Sequence, residues 1–172
     1  MKRLKIWPDS SLASYFMLVC FVLIAVVWFV QFNRYQTLYF QEQAQLFRFN
    51  SFYFNTYLIK PGGITGYLSA FLTQYNFYPW IGATILSLLL AGVYLLFDSV
   101  CRRSGKIEYL FTLLFIPVFL WMMALVTQLF SLSYLLGFMI GLAAFRVYIA
   151  CKKTIRYLSG FILLGIVYIL AA

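Results

Sequence analysis

The sequence contains no histidine, and only four of its 172 residues are acidic. The first absence removes the commonest metal ligand and the commonest general base. The second leaves Asp9, Glu42, Asp98 and Glu108 as the whole supply of carboxylates. Charged residues amount to 10%, against the quarter or so usual in soluble domains. That leaves too little polar surface for a water-soluble domain of this size. The three cysteines, Cys20, Cys101 and Cys151, form no CxxC pair. A disulfide or zinc site is therefore not indicated, and packing residues or free thiols on the reducing side of a membrane are expected. No metal site and no cofactor is read from the sequence.

What is present is apolar. Hydrophobic residues make up 65% of the chain, in long runs set apart by basic clusters. Residues 12–32 carry no charge, and 21 residues at 1.5 Å each cover about one hydrocarbon thickness. The run ends in the bulky Trp28-Phe29-Val30-Gln31-Phe32, unlike the small residues of a cleavage site, so it reads as an uncleaved signal anchor. Further spans are expected over 80–100, 108–129, 132–150 and 157–172. Asp98 and Arg102 are four apart and could pair. Pro117 should kink the third span. Gly137 and Gly141 form a GxxxG spacing, which permits close helix packing but also arises by chance in apolar helices. The last run has 16 residues, short of the roughly 20 needed to span. The simplest expectation is one membrane domain, 1–172, forming the N-terminal part of a longer protein cut inside its fifth span.

The charge positions orient this arrangement. Lys2, Arg3, Lys5, Arg102, Arg103, Lys106, Arg146, Lys152, Lys153 and Arg156 fall on one side of the spans, and Arg34, Arg48 and Lys60 on the other. The positive-inside rule places the N-terminus in the cytoplasm and residues 33–79 outside, on the outer face of an inner membrane. The net charge of +9 then serves as topology anchors beside anionic lipid, with no nucleic acid required.

Of the 14 Tyr, 19 Phe and 4 Trp, 15 lie between Asn33 and Trp80. Tyr35, Tyr39, Glu42, Leu46, Phe49, Tyr53 and Tyr57 follow steps of four and three, one face of a helix. Thr37, Gln41, Arg48, Ser51 and Asn55 gather opposite. The pattern predicts an interfacial amphipathic helix, or two short ones broken near Asn50-Ser51. After Pro61-Gly62-Gly63 a second helix is expected over 64–75, with Tyr67, Leu68, Phe71 and Leu72 on an apolar stripe. The paired glycines read as a turn, though exposed amides there could also take an anion such as phosphate. Aromatics in this region suit a membrane-interface belt, a platform stacking on sugar rings or polyprenyl chains, or packing against the spans.

Glu42 is the only acid in the outer loop and sits among the aromatics. Desolvation there raises a carboxyl pKa. It is the one candidate catalytic residue, as a general base or ligand-binding acid in an outward-facing cleft. The plainer alternative is a salt-bridged surface residue, with Arg34, Arg48 or a cation from another segment as its partner.

The segments Glu42-Gln43, Leu46-Phe47, Tyr53-Phe54, Pro61-Gly62-Gly63, Tyr67-Leu68, Phe71-Leu72-Thr73-Gln74 and Tyr78-Pro79-Trp80 resemble an uncharacterised family of bacterial multi-pass inner-membrane proteins of Bacteroides-type bacteria. The resemblance covers about residues 33 to 85. Members of that family look longer than this chain, and the family carries no assigned activity. The architecture also resembles polytopic glycosyltransferases that use lipid-linked sugars. In those enzymes a long outer loop after the first span carries an essential acid, a place only Glu42 can fill here. Their paired acidic motif has no counterpart.

The expected fold is thus an all-α polytopic helical membrane bundle with interfacial amphipathic helices in its first outer loop. Two functions stay open. One is part of a membrane enzyme acting on lipid-linked sugars at the outer face. The other is a non-enzymatic transport component or scaffold packing with other membrane subunits. Asp98, Glu108 and Arg146 all lie near cytoplasmic ends, so ion-coupled transport within this stretch is disfavoured.

Overall fold

The computed structural model describes residues 10–32, 47–103, 114–127, 130–151 and 156–171. Among them the regular structure is all helical. The elements are α1 (Ser10–Phe32), α2 (Ser51–Leu58), α3 (Gly63–Thr73), a 3-10 turn (Gln74–Phe77), α4 (Pro79–Arg103), α5 (Phe115–Val126), α6 (Leu132–Ala150) and α7 (Arg156–Ala171). Three of these, α1, α4 and α6, are long and apolar enough to cross a membrane. Helices α5 and α7 are apolar but shorter, with 12 and 16 residues.

Helix α4 is the axis of the bundle. It packs on α1, α5 and α6 and touches α3 and the 3-10 turn. Its buried positions Ala83, Leu86, Ser87, Leu90, Ala91, Val93 and Tyr94 recur every three or four residues, the period that keeps side chains on one side of a helix. The same core receives Leu18, Phe29 and Val30 from α1, Val118, Met122 and Leu125 from α5, and Leu132 and Leu135 from α6. Gly92 lets α6 come close: a Cβ there would stand 2.7 Å from the Met139 methyl. At the far end of α4, Arg102 Nε donates to both carboxylate oxygens of Asp98 at 2.8 and 2.7 Å, the pairing their spacing suggests.

Several expectations are corrected. Of the third span Phe115–Val126 is described as helix; the residues before Leu114, on which the expected kink at Pro117 turns, lie outside the described residues. Gly141 of the GxxxG pair sits in no tight seam, because a Cβ on it would meet nothing within 4 Å. The buried face of α3 is Gly63, Thr65, Ser69, Ala70 and Thr73, small and polar, while Leu68 of the expected apolar stripe is exposed. Small residues let α3 sit close against α6 and α7. The hydroxyls cost little because they bond to their own helix. Thr65 Oγ1 donates to the Gly62 carbonyl and Thr73 Oγ1 to that of Ser69, both at 2.7 Å.

The outward surface of the long helices is apolar. Phe16, Leu23 and Ile24 of α1, Leu88 and Leu95 of α4, and Phe119, Leu120 and Met123 of α5 are all exposed. Contiguous apolar surface on this scale exceeds what water-soluble monomers carry and marks contact with lipid or protein.

Candidate functional site

The tyrosine-rich segment begins with extended backbone at Asn50 (φ −138°, ψ 138°). Its side-chain oxygen accepts from the Phe52 N–H at 3.2 Å, capping α2. A helix therefore starts at Ser51 after non-helical residues 47–50, as the expected break near Asn50-Ser51 requires; the segment before the break lies outside the described residues. Glu42, Tyr35 and Tyr39 lie outside the described residues.

Helix α2 has no buried residue. Rings hold it. Phe47 meets Phe49, Tyr53, Tyr67 and Phe71 with centroids 4.8–5.7 Å apart. Tyr67 receives Phe54 at 4.9 Å and Tyr57 at 6.0 Å, and Phe71 continues to Tyr75 at 5.5 Å. Nearly all are edge-to-face, the geometry the ring quadrupole favours. Tyr67 and Phe71 of the expected stripe thus serve this aromatic cap. Phe47, at its centre, falls outside the step pattern and carried no periodic signal.

The turn Pro61-Gly62-Gly63 joins the cap to the bundle. Gly62 has φ 70°, a left-handed conformation that glycine adopts at little cost. Its N–H donates to the Ile169 carbonyl at the end of α7, N···O 3.2 Å, and the Gly63 N–H donates to the Lys60 carbonyl at 3.0 Å. Both amides are committed, which removes the anion-binding alternative for this turn. Gly63 is also pressed against α2: a Cβ there would stand 1.7 Å from the Tyr57 carbonyl oxygen.

Residues 10–172 match a family of unknown function, DUF6057. The chain belongs to this family. No curated protein and no solved structure is detectably similar to it. The match to DUF6057 covers the aromatic cap together with every described helix, and it brings no activity with it.

Within this DUF6057 member the cap contains one distinctive titrating group. Tyr53 and Tyr57 share a hydroxyl–hydroxyl hydrogen bond of 3.1 Å. Burial, then that bond, then repulsion between the two phenolates push Tyr53 from 10.0 up to about 12. Arg48 pulls the other way, more weakly. The folded cap therefore holds its proton more tightly than the unfolded chain. This stabilisation is complete below pH 10.0 and is lost as pH rises toward about 12. Tyrosinate absorbance of the folded protein should show a late-titrating component near 12 that Tyr53→Phe removes. An unchanged titration curve in that variant would mean that Tyr53 is not held this way.

Beside the cap lie two buried polar groups without a hydrogen-bond partner, Asn76 Nδ2 in the 3-10 turn and Ser87 Oγ in α4. Asn76 packs on Gly82, where a Cβ would come within 2.5 Å of its Oδ1. Sequence pattern alone missed this polar seam, although the spacing of Thr65, Ser69 and Thr73 carried its signal.

Proposed function

We propose that this chain is a multi-pass inner-membrane protein with a cytoplasmic N-terminus. Its aromatic cap lies on the outer face and forms the substrate-facing part of a membrane enzyme acting on lipid-linked sugars. The observation that carries the reading is the position of the cap. Gly62 bonds to the C-terminal end of α7, so the aromatic rings gather at the bundle end opposite Arg102 and Arg146. Bulky rings at one end and cations at the other match the interface belt and positive-inside pattern of membrane proteins. Phe49, Phe52, Tyr78 and Trp80 stay exposed there. Their ring faces are electron-rich and apolar, suited to the C–H face of a sugar or to a polyprenyl chain. Glu42, the one carboxylate of the outer stretch, is the candidate base.

One experiment tests both parts. In cells, Gln45→Cys is placed in a chain without Cys20, Cys101 and Cys151, with and without Glu42→Gln. A membrane-impermeant maleimide should label position 45 from outside in both. Glu42→Gln should lose a cell-envelope glycan while inserting normally. Protection of position 45 would sink the orientation. An unaltered envelope would sink the enzymatic reading and leave a scaffold.

A further inference from the structure

The aromatic cap brings three phenols together. Tyr53 and Tyr57 come from α2 and Tyr67 from α3, and all three are half-buried. Their rings lie pairwise 5.0, 6.3 and 6.0 Å apart, centroid to centroid. Tyr67 stands near enough to Tyr53 for their phenolates to repel. The 3.1 Å bond between the Tyr53 and Tyr57 hydroxyls favours the protonated form of Tyr53, so Tyr53 is its donor. A phenol oxygen that accepts a bond becomes a better donor in turn, and the Tyr57 proton is directed away from the pair. Among the described residues no group accepts the protons of Tyr57 and Tyr67.

Arg48 adds a positive charge. It is exposed and follows Phe47, whose ring sits 5.7 Å from Tyr53 and 5.0 Å from Tyr67. Its guanidinium is near enough to Tyr53 to favour the ionised phenol. The one described carboxylate, Asp98, is bonded to Arg102, so no described acid neutralises Arg48. Guanidinium has donors and no acceptor, and phenols keep their protons at neutral pH. Donors around a cation select an anion rich in acceptor oxygens, and phosphate is the group that arginine matches best. A neutral sugar hydroxyl would leave the guanidinium without a counter-charge.

An apolar path starts beside the phenols. Tyr67, Phe71 and Tyr75 follow at intervals of four, along one side of α3 and into the 3-10 turn. Phe71 lies 5.5 Å from Phe47, and Tyr75 lies 5.5 Å from Phe71. Polar donors at one end and rings at the other fit a ligand with a phosphate head and a hydrocarbon tail.

We propose that the cap binds a lipid-borne phosphate, with Tyr57 and Tyr67 donating to its oxygens, Arg48 balancing its charge and the tail lying along Phe71 and Tyr75. That the lipid is a polyprenyl sugar carrier rests on the function proposed above; the phosphate site does not.

The test uses the full chain in a neutral detergent, with a fluorescent polyprenyl phosphate as probe and its anisotropy as readout. Polyprenyl phosphate, the matching polyprenol, phosphatidylglycerol and inorganic phosphate are the competitors. Polyprenyl phosphate should displace the probe at a concentration at least about tenfold below that of polyprenol. Arg48→Gln and Tyr57→Phe should each weaken the probe about tenfold, the worth of one hydrogen bond to a charged group. Protease resistance of residues 47–60 should hold in both, since Arg48 is exposed and phenylalanine keeps the ring. Arg48→Lys, which keeps the charge, should lose less than Arg48→Gln. Arg146→Gln, an exposed cation elsewhere in the chain, should bind as the parent does. Equal displacement by polyprenol and its phosphate overturns the proposal. So does a probe affinity unchanged in both Arg48→Gln and Tyr57→Phe, or a loss in Arg146→Gln equal to that in Arg48→Gln. Displacement by phosphatidylglycerol as effective as by polyprenyl phosphate upholds the phosphate site and overturns the polyprenyl source. Inorganic phosphate as effective as either lipid overturns the role of the tail.

Discussion

Gly63→Ala is expected to release α2 from the bundle. The added methyl would need to occupy a point 1.7 Å from the Tyr57 carbonyl oxygen, and that oxygen belongs to the backbone, so no rotamer change relieves the clash. Over-packing costs about 1–3 kcal/mol, toward the upper end where the neighbour is backbone. The cheaper response is local. Helix α2 buries no residue and is held by a handful of ring contacts worth roughly 0.5–1.5 kcal/mol each. Letting it go therefore costs less than distorting α3, which is packed against α6 and α7. Protease sensitivity over residues 47–60 should rise sharply, while the unfolding midpoint of the remaining helices moves little. Gly66→Ala is the control. Its methyl faces the Tyr57 ring edge at 3.1 Å, a side chain that can swing, so it should cost less than about 1 kcal/mol. Equal protease resistance of the Gly63→Ala and parent chains would show that the cap does not rest on this contact.

The second large effect is expected at Phe29→Ala. Phe29 is 0% exposed between α1 and α4, with Trp28 edge-on at 5.2 Å. Truncation removes a ring from a close-packed seam and leaves a cavity, a loss of about 3–5 kcal/mol. Phe16 lies on the same helix but is 69% exposed. If that face meets lipid, Phe16→Ala exchanges one apolar contact for another and should cost under about 1 kcal/mol. Denaturant titration in detergent separates the two. Comparable losses at both positions would mean that α1 is packed on more than the face seen here.

The long helices were legible because their cause is local. Length, hydropathy and flanking charge bound α1, α4 and α6 to within a few residues, and the i,i+4 spacing of Asp98 and Arg102 foretold their pairing. The cap was legible in part. Asn50 and Ser51 announce a helix start, and the Pro-Gly-Gly run announces a turn. Which face of α3 would be buried was not legible. A stripe of Tyr67, Leu68, Phe71 and Leu72 outranks Thr65, Ser69 and Thr73 on any hydrophobic scale. Close backbone approach of α3 to α6 and α7 selects the small residues instead. Glu42, the one residue read as catalytic, lies outside the described residues. Its role remains a proposal from sequence.

The hydrogen bond from Gly62 to Ile169 has a temporal side. Its acceptor is made some hundred residues after its donor, on the order of ten seconds at ribosomal speed. For that interval the nascent tyrosine-rich stretch has no finished surface to close upon. Its docking must wait until α7 has been made, and a ribosome stalled before residue 169 would leave it undocked.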